Sequence, residues 1–226
     1  MKLFVVLFVV VTLTCQAQVR TVFRDNFDNL TGWQKVNGAG VAVEIRSDEL
    51  AILKPSGSTP FKLIRSVPLD MSKDFIIQVP FEVKAGGDND QFGVIFGGGD
   101  SIRHFAFLLT PSGKASLHKF GAINAILGKA KDVGRGDTST NVRLVEVAKI
   151  GDVVGCYVDG INAGYLDLPY NPVYGNMVGL YVSKGVRLNI DYFDVRERPA
   201  RDIRSPAGHR QRVQARGSFL RHIRRQ

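Results

Sequence analysis

Cysteine, tryptophan and histidine are scarce in this chain of 226 residues, at 2, 1 and 4. Two cysteines cannot staple a disulfide-dense mini-domain, nor supply the thiolates of a zinc module. The histidines, at 104, 118, 209 and 222, show neither His-x-His nor His-Glu-x-x-His spacing, so a histidine-built metal centre has no basis in the sequence. There is no Gly-x-Ser-x-Gly elbow, no phosphate-cradling Walker loop and no dinucleotide fingerprint. No apolar run reaches the roughly twenty residues of a membrane span. What is present is 44% hydrophobic and 23% charged residues, enough to bury a core. The length suits one domain.

Lysine is missing from one region. Residues 196–226 hold ten arginines, no lysine and only two acids, Glu197 and Asp202. Residues 18–195 hold nineteen basic and nineteen acidic residues, so the net charge of +9 describes the C-terminal segment rather than the body. A neutral body offers no footing for specific nucleic-acid binding. Pro199, Pro206, Gly208 and Gly217 interrupt the segment, and a disordered basic tail over 196–226 is expected. Clustered cations attract anionic lipid, lipopolysaccharide or nucleic acid at low salt. An extension of the reading frame without a role accounts for the same composition, and the two readings stand level.

At the other end, Lys2 precedes an apolar stretch over 3–13 and then Thr14-Cys15-Gln16-Ala17. This pattern predicts a secretory signal peptide over 1–17, cut after Ala17. A lipoprotein anchor at Cys15 is the lesser alternative, because Thr12 and Thr14 replace the Leu and the small residue such a signal carries. The location predicted is secreted or cell-surface. Cys156 is then the only thiol of the body, which excludes an internal disulfide. Its setting, Val153-Val154-Gly155-Cys156-Tyr157-Val158, predicts a small buried strand residue rather than a reactive thiol.

The body alternates short β-rich runs with Gly, Pro, Asp and Asn. In residues 75–83, Phe75, Ile77, Val79, Phe81 and Val83 share one face, and Gln78, Pro80 and Glu82 the other. Strands follow at 92–96, 103–110 and 114–120, the last two joined by Pro111-Ser112-Gly113 as a three-residue hairpin loop. Further strands cover 141–149, 153–158, 177–183 and 186–195, with Asp159-Gly160 closing a tight turn. Only residues 122–130 carry a weak helical pattern. The fold predicted is all-β, a sandwich or barrel.

Phe23-Arg24-Asp25-Asn26-Phe27 with Gly32-Trp33 resembles the first strand of bacterial concanavalin A-like (laminin-G-like) β-sandwich domains. Phe92-Gly93-Val94-Ile95-Phe96, His104-Phe105-Ala106-Phe107 with Ser112-Gly113-Lys114, Tyr157-Val158-Asp159-Gly160, and Asp191-Tyr192-Phe193-Asp194-Val195 resemble later strands of that family, in order. The resemblance spans residues 21–195. It implies a two-sheet antiparallel jelly-roll sandwich with the last strand beside the first, a shape that often binds or cleaves glycans. Fold alone does not choose between those functions.

Laminarinase-type glucanases of this fold carry Glu-x-Asp-x-Glu on one strand, where paired carboxylates flank the glycosidic bond. The nearest stretch, Glu44-Ile45-Arg46-Ser47-Asp48-Glu49, places Arg46 at the central acid, and Glu49 is expected on the face opposite Glu44. These are expected to be exposed strand and turn charges. Asp88-Asn89-Asp90 offers hard oxygens of the kind calcium takes, but a hairpin turn explains them better and no cofactor is expected. Arg135-Gly136-Asp137 spells an adhesion tripeptide of a kind that arises often by chance. Asn29-Leu30-Thr31 is a glycosylation sequon. If the pleats align, Gln78, Glu82, His104 and His118 line one sheet, with small Ala106 and Ser116 beside the histidines and Trp33 as the sugar platform. The competing expectation is that Trp33 packs at the sandwich edge and the histidines lie at the surface. The leading function is a secreted, non-catalytic glycan-binding or surface-adhesion module whose partner is a polysaccharide or cell-surface glycan. The alternatives are a glycoside hydrolase-like enzyme of the same architecture and a structural cell-surface protein.

Overall fold

The computed structural model describes residues 19–198, apart from 38, 47–48, 54–58 and 135–140. The expected signal peptide with Cys15, the Arg135-Gly136-Asp137 tripeptide and the chain beyond residue 198 lie outside the described residues. Within them there is no helix, and the strands form two antiparallel sheets packed face to face. The larger sheet runs β13 (Ile161–Asp167), β12 (Val153–Val158), β11 (Val142–Ile150), β6 (Asp74–Ala85), β15 (Arg187–Ile190), β4 (Glu49–Leu53) and β3 (Ala42–Arg46). β16 (Phe193–Arg198) also pairs with β6 and carries β1 (Arg20–Asp25) at its other edge. The smaller sheet runs β10 (Ala125–Asp132), β9 (Lys114–Phe120), β8 (His104–Leu109), β7 (Phe92–Gly98), β14 (Met177–Val182), β5 (Phe61–Ser66) and β2 (Gln34–Val36). The expected jelly-roll sandwich is the observed one.

Strand alternation decides which sheet face is dry. On β6, Phe75, Ile77, Val79 and Phe81 are buried, while Gln78, Pro80 and Glu82 between them stay half-exposed. The 12-residue length of β6 lets one edge serve two partners, β16 along residues 74–78 and β15 beyond residue 80. Opposite it, Phe92, Val94 and Phe96 of β7 and Phe105 and Phe107 of β8 fill the space between sheets. Phe81 and Phe92 join the layers with ring centroids 5.3 Å apart. Each such fully buried side chain contributes roughly 1.5–3 kcal/mol before chain entropy is charged against it.

The turns obey local chemistry. Asp159 and Gly160 have φ of 51° and 77°, the pair of positive values a two-residue hairpin of matching twist needs. The Asp159 carboxylate accepts from Leu144 N (2.8 Å) and from Nε of buried Arg143 (2.6 Å), which also donates to Gly134 O. Residues 111–113 form the expected three-residue loop, with Gly113 N donating to Thr110 O and Gly113 at φ 91°. At residues 88–90, Asp90 Oδ2 accepts from Gly87 N at 2.8 Å, so that carboxylate closes the turn. Cys156 is fully buried and burial pushes its thiol up.

The all-β expectation holds at residues 125–132 too: they form edge strand β10, because pairing with β9 satisfies the backbone and overrides the weak helical pattern. Gly128, at φ 88°, takes up the irregularity between Leu127 and Lys131. Beyond residue 195, the boundary expected for the body, β16 runs on to Arg198. Glu197, buried on it, accepts from Asp70 N (2.5 Å) and Lys73 Nζ (3.3 Å).

Candidate functional site

The outward face of the smaller sheet gathers aromatic and titratable side chains. On β8 and β9 the inward residues are Phe105, Phe107, Ala115 and Leu117, so His104, Ala106, Leu108, Ser116, His118 and Phe120 face out. The register lays His118, Ala106, Ile95, Gly179 and Ile64 in one transverse row across β9, β8, β7, β14 and β5. Ile64, Ile95, Ala106, Leu108, Met177 and Tyr181 pack into an apolar floor separate from the main core. Half-buried Phe120 stands over its edge. Its ring stacks on His104 at 4.8 Å and lies 6.0 Å from both His118 and Tyr181. Lys62 Nζ sits 5.3 Å from the same ring and donates to Ser101 O. Ser116 Oγ and His118 Nε2 share a 2.8 Å hydrogen bond.

Burial sets the electrostatics of this face. It lowers Lys62 and His118 and lifts the Tyr181 phenol to about 12. His104 falls to about 4, chiefly through burial, with Lys62 adding to the fall and Asp100 opposing it. The loop over residues 99–103 is tied by the Asp100 carboxylate, which accepts from Ile102 N, Arg103 N and Arg103 Nε and is held down to about 2. His104 is fully buried, and neither ring nitrogen is in hydrogen-bond geometry, although the Asp100 backbone lies near enough to favour the protonated ring. It is therefore neutral when folded, whereas in the unfolded chain it takes a proton near pH 6.5. The unfolded state binds more protons between pH 6.5 and 4, so stability is full above that window and falls through it. His104→Phe keeps the stack on Phe120 and removes both ring nitrogens. In urea melts at pH 7.5 and pH 4 it should remove roughly 2 kcal/mol of the wild-type acid loss; an unchanged loss would refute the assignment.

The five residues predicted to form a site do not meet. His104 and His118 share the smaller sheet, but Gln78 and Glu82 lie on the outward face of the larger one, across the core. Parity along one strand fixes a face relative to that strand only; it does not say which sheet the strand joins. Trp33 is no platform. It is 8% exposed, with ring centroids 5.5–6.0 Å from Phe23, Phe27 and Phe193, and its Nε1 donates to Asp25. His104 is not a surface residue either. Glu49 is corrected as well: it pairs with Arg46 across the hairpin, so it shares the face of Glu44. Counting parity through a turn reversed it. Glu49 and Glu82 both accept from Asn189 Nδ2, at 2.9 and 3.3 Å, and Lys84 pairs with Glu82, so both carboxylates are tied to neighbours. Among the described residues no cluster of His, Cys, Asp or Glu could hold a metal ion. Phe120 was legible from its parity with His118 and was missed; Lys62 and Tyr181 join the face only through long-range pairing.

No family model matches the sequence, and no curated protein sequence matches it. Solved structures do. The chain is similar to carbohydrate-binding module CBM66 from Bacillus subtilis at 12% identity and TM-score 0.52, covering 73% of this chain and 96% of that one. It is similar to a glycoside hydrolase family 16 endo-glucanase from Bacteroides ovatus at 11% identity and TM-score 0.56, covering 76% and 99%. The fold is concanavalin A-like. A GH43 protein of Bacillus licheniformis, BlXynB, is similar at 14% identity and TM-score 0.56, covering 76% of this chain; the match spans only 38% of that protein's length. These identities establish shared architecture and nothing finer.

Proposed function

We propose that this concanavalin A-like sandwich is a secreted, non-catalytic glycan-binding module that uses the outward face of its smaller sheet. The observation that carries the proposal is the Phe120 ring, half-exposed and flanked by His118, Tyr181 and Lys62 over an apolar floor. Sugar recognition pairs an aromatic surface for C–H contacts with a few placed polar groups, and this face supplies both. Among the described residues, the strands of this sheet place one carboxylate on it, Asp132 of edge strand β10 opposite Lys114, and it accepts from Gly134 N. Hydrolysis by paired carboxylates would need two there. The solved neighbours include a carbohydrate-binding module and an endo-glucanase, which is compatible with a glycan partner. The basic tail is then an auxiliary contact for anionic surfaces.

A glycan-array screen of the full chain at low and physiological salt tests this. Phe120→Ala should weaken any positive signal roughly tenfold, the loss of about 1.4 kcal/mol. A signal that survives Phe120→Ala and vanishes with salt would assign adhesion to the arginine-rich segment and overturn the proposal.

A further inference from the structure

We propose that the outward face of the larger sheet carries a second pyranoside-binding surface, centred on Tyr157 and selective for neutral sugars. It is independent of the Phe120 face, since the core separates the two.

The register aligns Gln78, Glu146, Tyr157 and Asn162 in one transverse row over β6, β11, β12 and β13. Their strand neighbours Ile77, Val79, Val145, Val147, Cys156 and Val158 are core, so the row faces outward. Tyr157 is laid flat. A Cβ on Gly155 would lie 2.7 Å from its Oη, 2.8 Å from Cε2 and 3.0 Å from Cζ, so the ring reclines over the bare glycine. Gly155 and Ala148 pair across β12 and β11, giving a floor without bulk beside the ring. Tyr165, opposite Gly155 in register, is 54% exposed and walls that floor.

The polar groups are planar and positioned. Gln78 Nε2 donates to Glu146 Oε2 at 2.7 Å, which orients both side chains and leaves Oε1 of each to accept from ligand hydroxyls. Asn162 Nδ2 is shielded from solvent, and the Asn162 side chain favours the ionised Tyr157 phenol, so the amide acts on the ring rather than on the ligand. A pyranose ring offers a C–H face to an aromatic ring and hydroxyls at its edge, so this row suits it. Glu146, whose partner Gln78 is neutral, would repel a uronate, whereas Asp194, one strand beyond Gln78 in the same row, is buried and paired with Arg196.

The test is ring-carbon NMR of the full-length, tyrosine-labelled protein, titrated with methyl glucoside, galactoside, mannoside, xyloside and glucuronide. A saturable shift at Tyr157 with at least one neutral sugar is expected, with the glucuronide roughly tenfold weaker. Gly155→Ala displaces only the far end of a flexible side chain, so it should fold; it and Gln78→Ala should each weaken binding about fivefold. Phe120→Ala should leave the Tyr157 response intact. No Tyr157 shift with any sugar, or equal affinity in both variants, would overturn the proposal. Tyr181 reports the other face separately, so failure of one surface is distinguishable from failure of the other.

Discussion

A Gly93→Ala variant is expected to lose about 3 kcal/mol of stability, at or beyond the upper end of ordinary overpacking. Gly93 lies in β7, between β14 and β8 at the middle of the smaller sheet. A Cβ there would fall 2.0 Å from the carbonyl oxygen of Phe107 and 3.0 Å from Leu108 Cα. The obstacle is backbone rather than the end of a mobile side chain, so relief means pulling the β7–β8 ladder apart. Gly179 on neighbouring β14 is similarly placed, 2.3 Å from Leu63 O. Both glycines face outward beneath the candidate site, with Gly93 paired to Leu108 and Tyr181. Stability and the shape of the floor therefore depend on the same missing side chains. Gly164 is the control: nothing lies within 4 Å of a Cβ there. Gly164→Ala should stay within about 0.5 kcal/mol of the parent. Urea midpoints with unchanged slopes decide it; a Gly93→Ala midpoint equal to that of Gly164→Ala would refute the steric account.

The reason for those glycines was not visible in the chain itself. The pattern Phe92-Gly93-Val94-Ile95-Phe96 announced a strand, because a period of two is a local property of sequence. It did not announce that Leu108 and Tyr181 flank Gly93, since one pairing is a hairpin and the other joins residues far apart. The same limit explains the candidate site. His104 and His118 were placed together correctly because β8 and β9 are a hairpin, whose register follows from loop length. Gln78 and Glu82 were placed with them wrongly because β6 pairs with β11, β15 and β16 instead. Burial of His104 escaped notice for a related reason. Its covering, Phe120 on one side and the loop at residues 99–103 on the other, depends on packing rather than on composition. By contrast, the Asp159-Gly160 and Pro111-Ser112-Gly113 turns were legible, because positive φ and ring-fixed φ are residue properties.

The opening motif Phe23-Arg24-Asp25-Asn26-Phe27 with Gly32-Trp33 carries the remaining large effect: Asp25→Ala should cost about 3 kcal/mol. Asp25 closes β1 where the first strand meets the last. Its Oδ1 accepts from Phe27 N at 2.7 Å, and its Oδ2 accepts from Trp33 Nε1 at 2.8 Å, with Arg65 Nη1 3.5 Å away. Phe27 is fully buried at φ 61°, a left-handed conformation that a bulky residue keeps only when its surroundings hold it there. Trp33 packs against Phe23, Phe27 and Phe193, so one carboxylate orients an aromatic cluster that joins β1 to β16. Truncation leaves the indole N–H buried without an acceptor, at about 1–3 kcal/mol, and removes the brace on a strained residue, at about 1 kcal/mol or more. It also strips Arg65 of its acid, although that guanidinium still donates to Thr31 O and lies 4.7 Å over the Phe23 ring. Asp25→Asn retains the acceptor for Phe27 N and should lose about half as much. Near-UV circular dichroism isolates the single tryptophan, and denaturant melts give the free energy. A variant within about 0.5 kcal/mol of the parent, with an unchanged tryptophan signal, would show that apolar packing alone seats Trp33 and that the carboxylate is incidental.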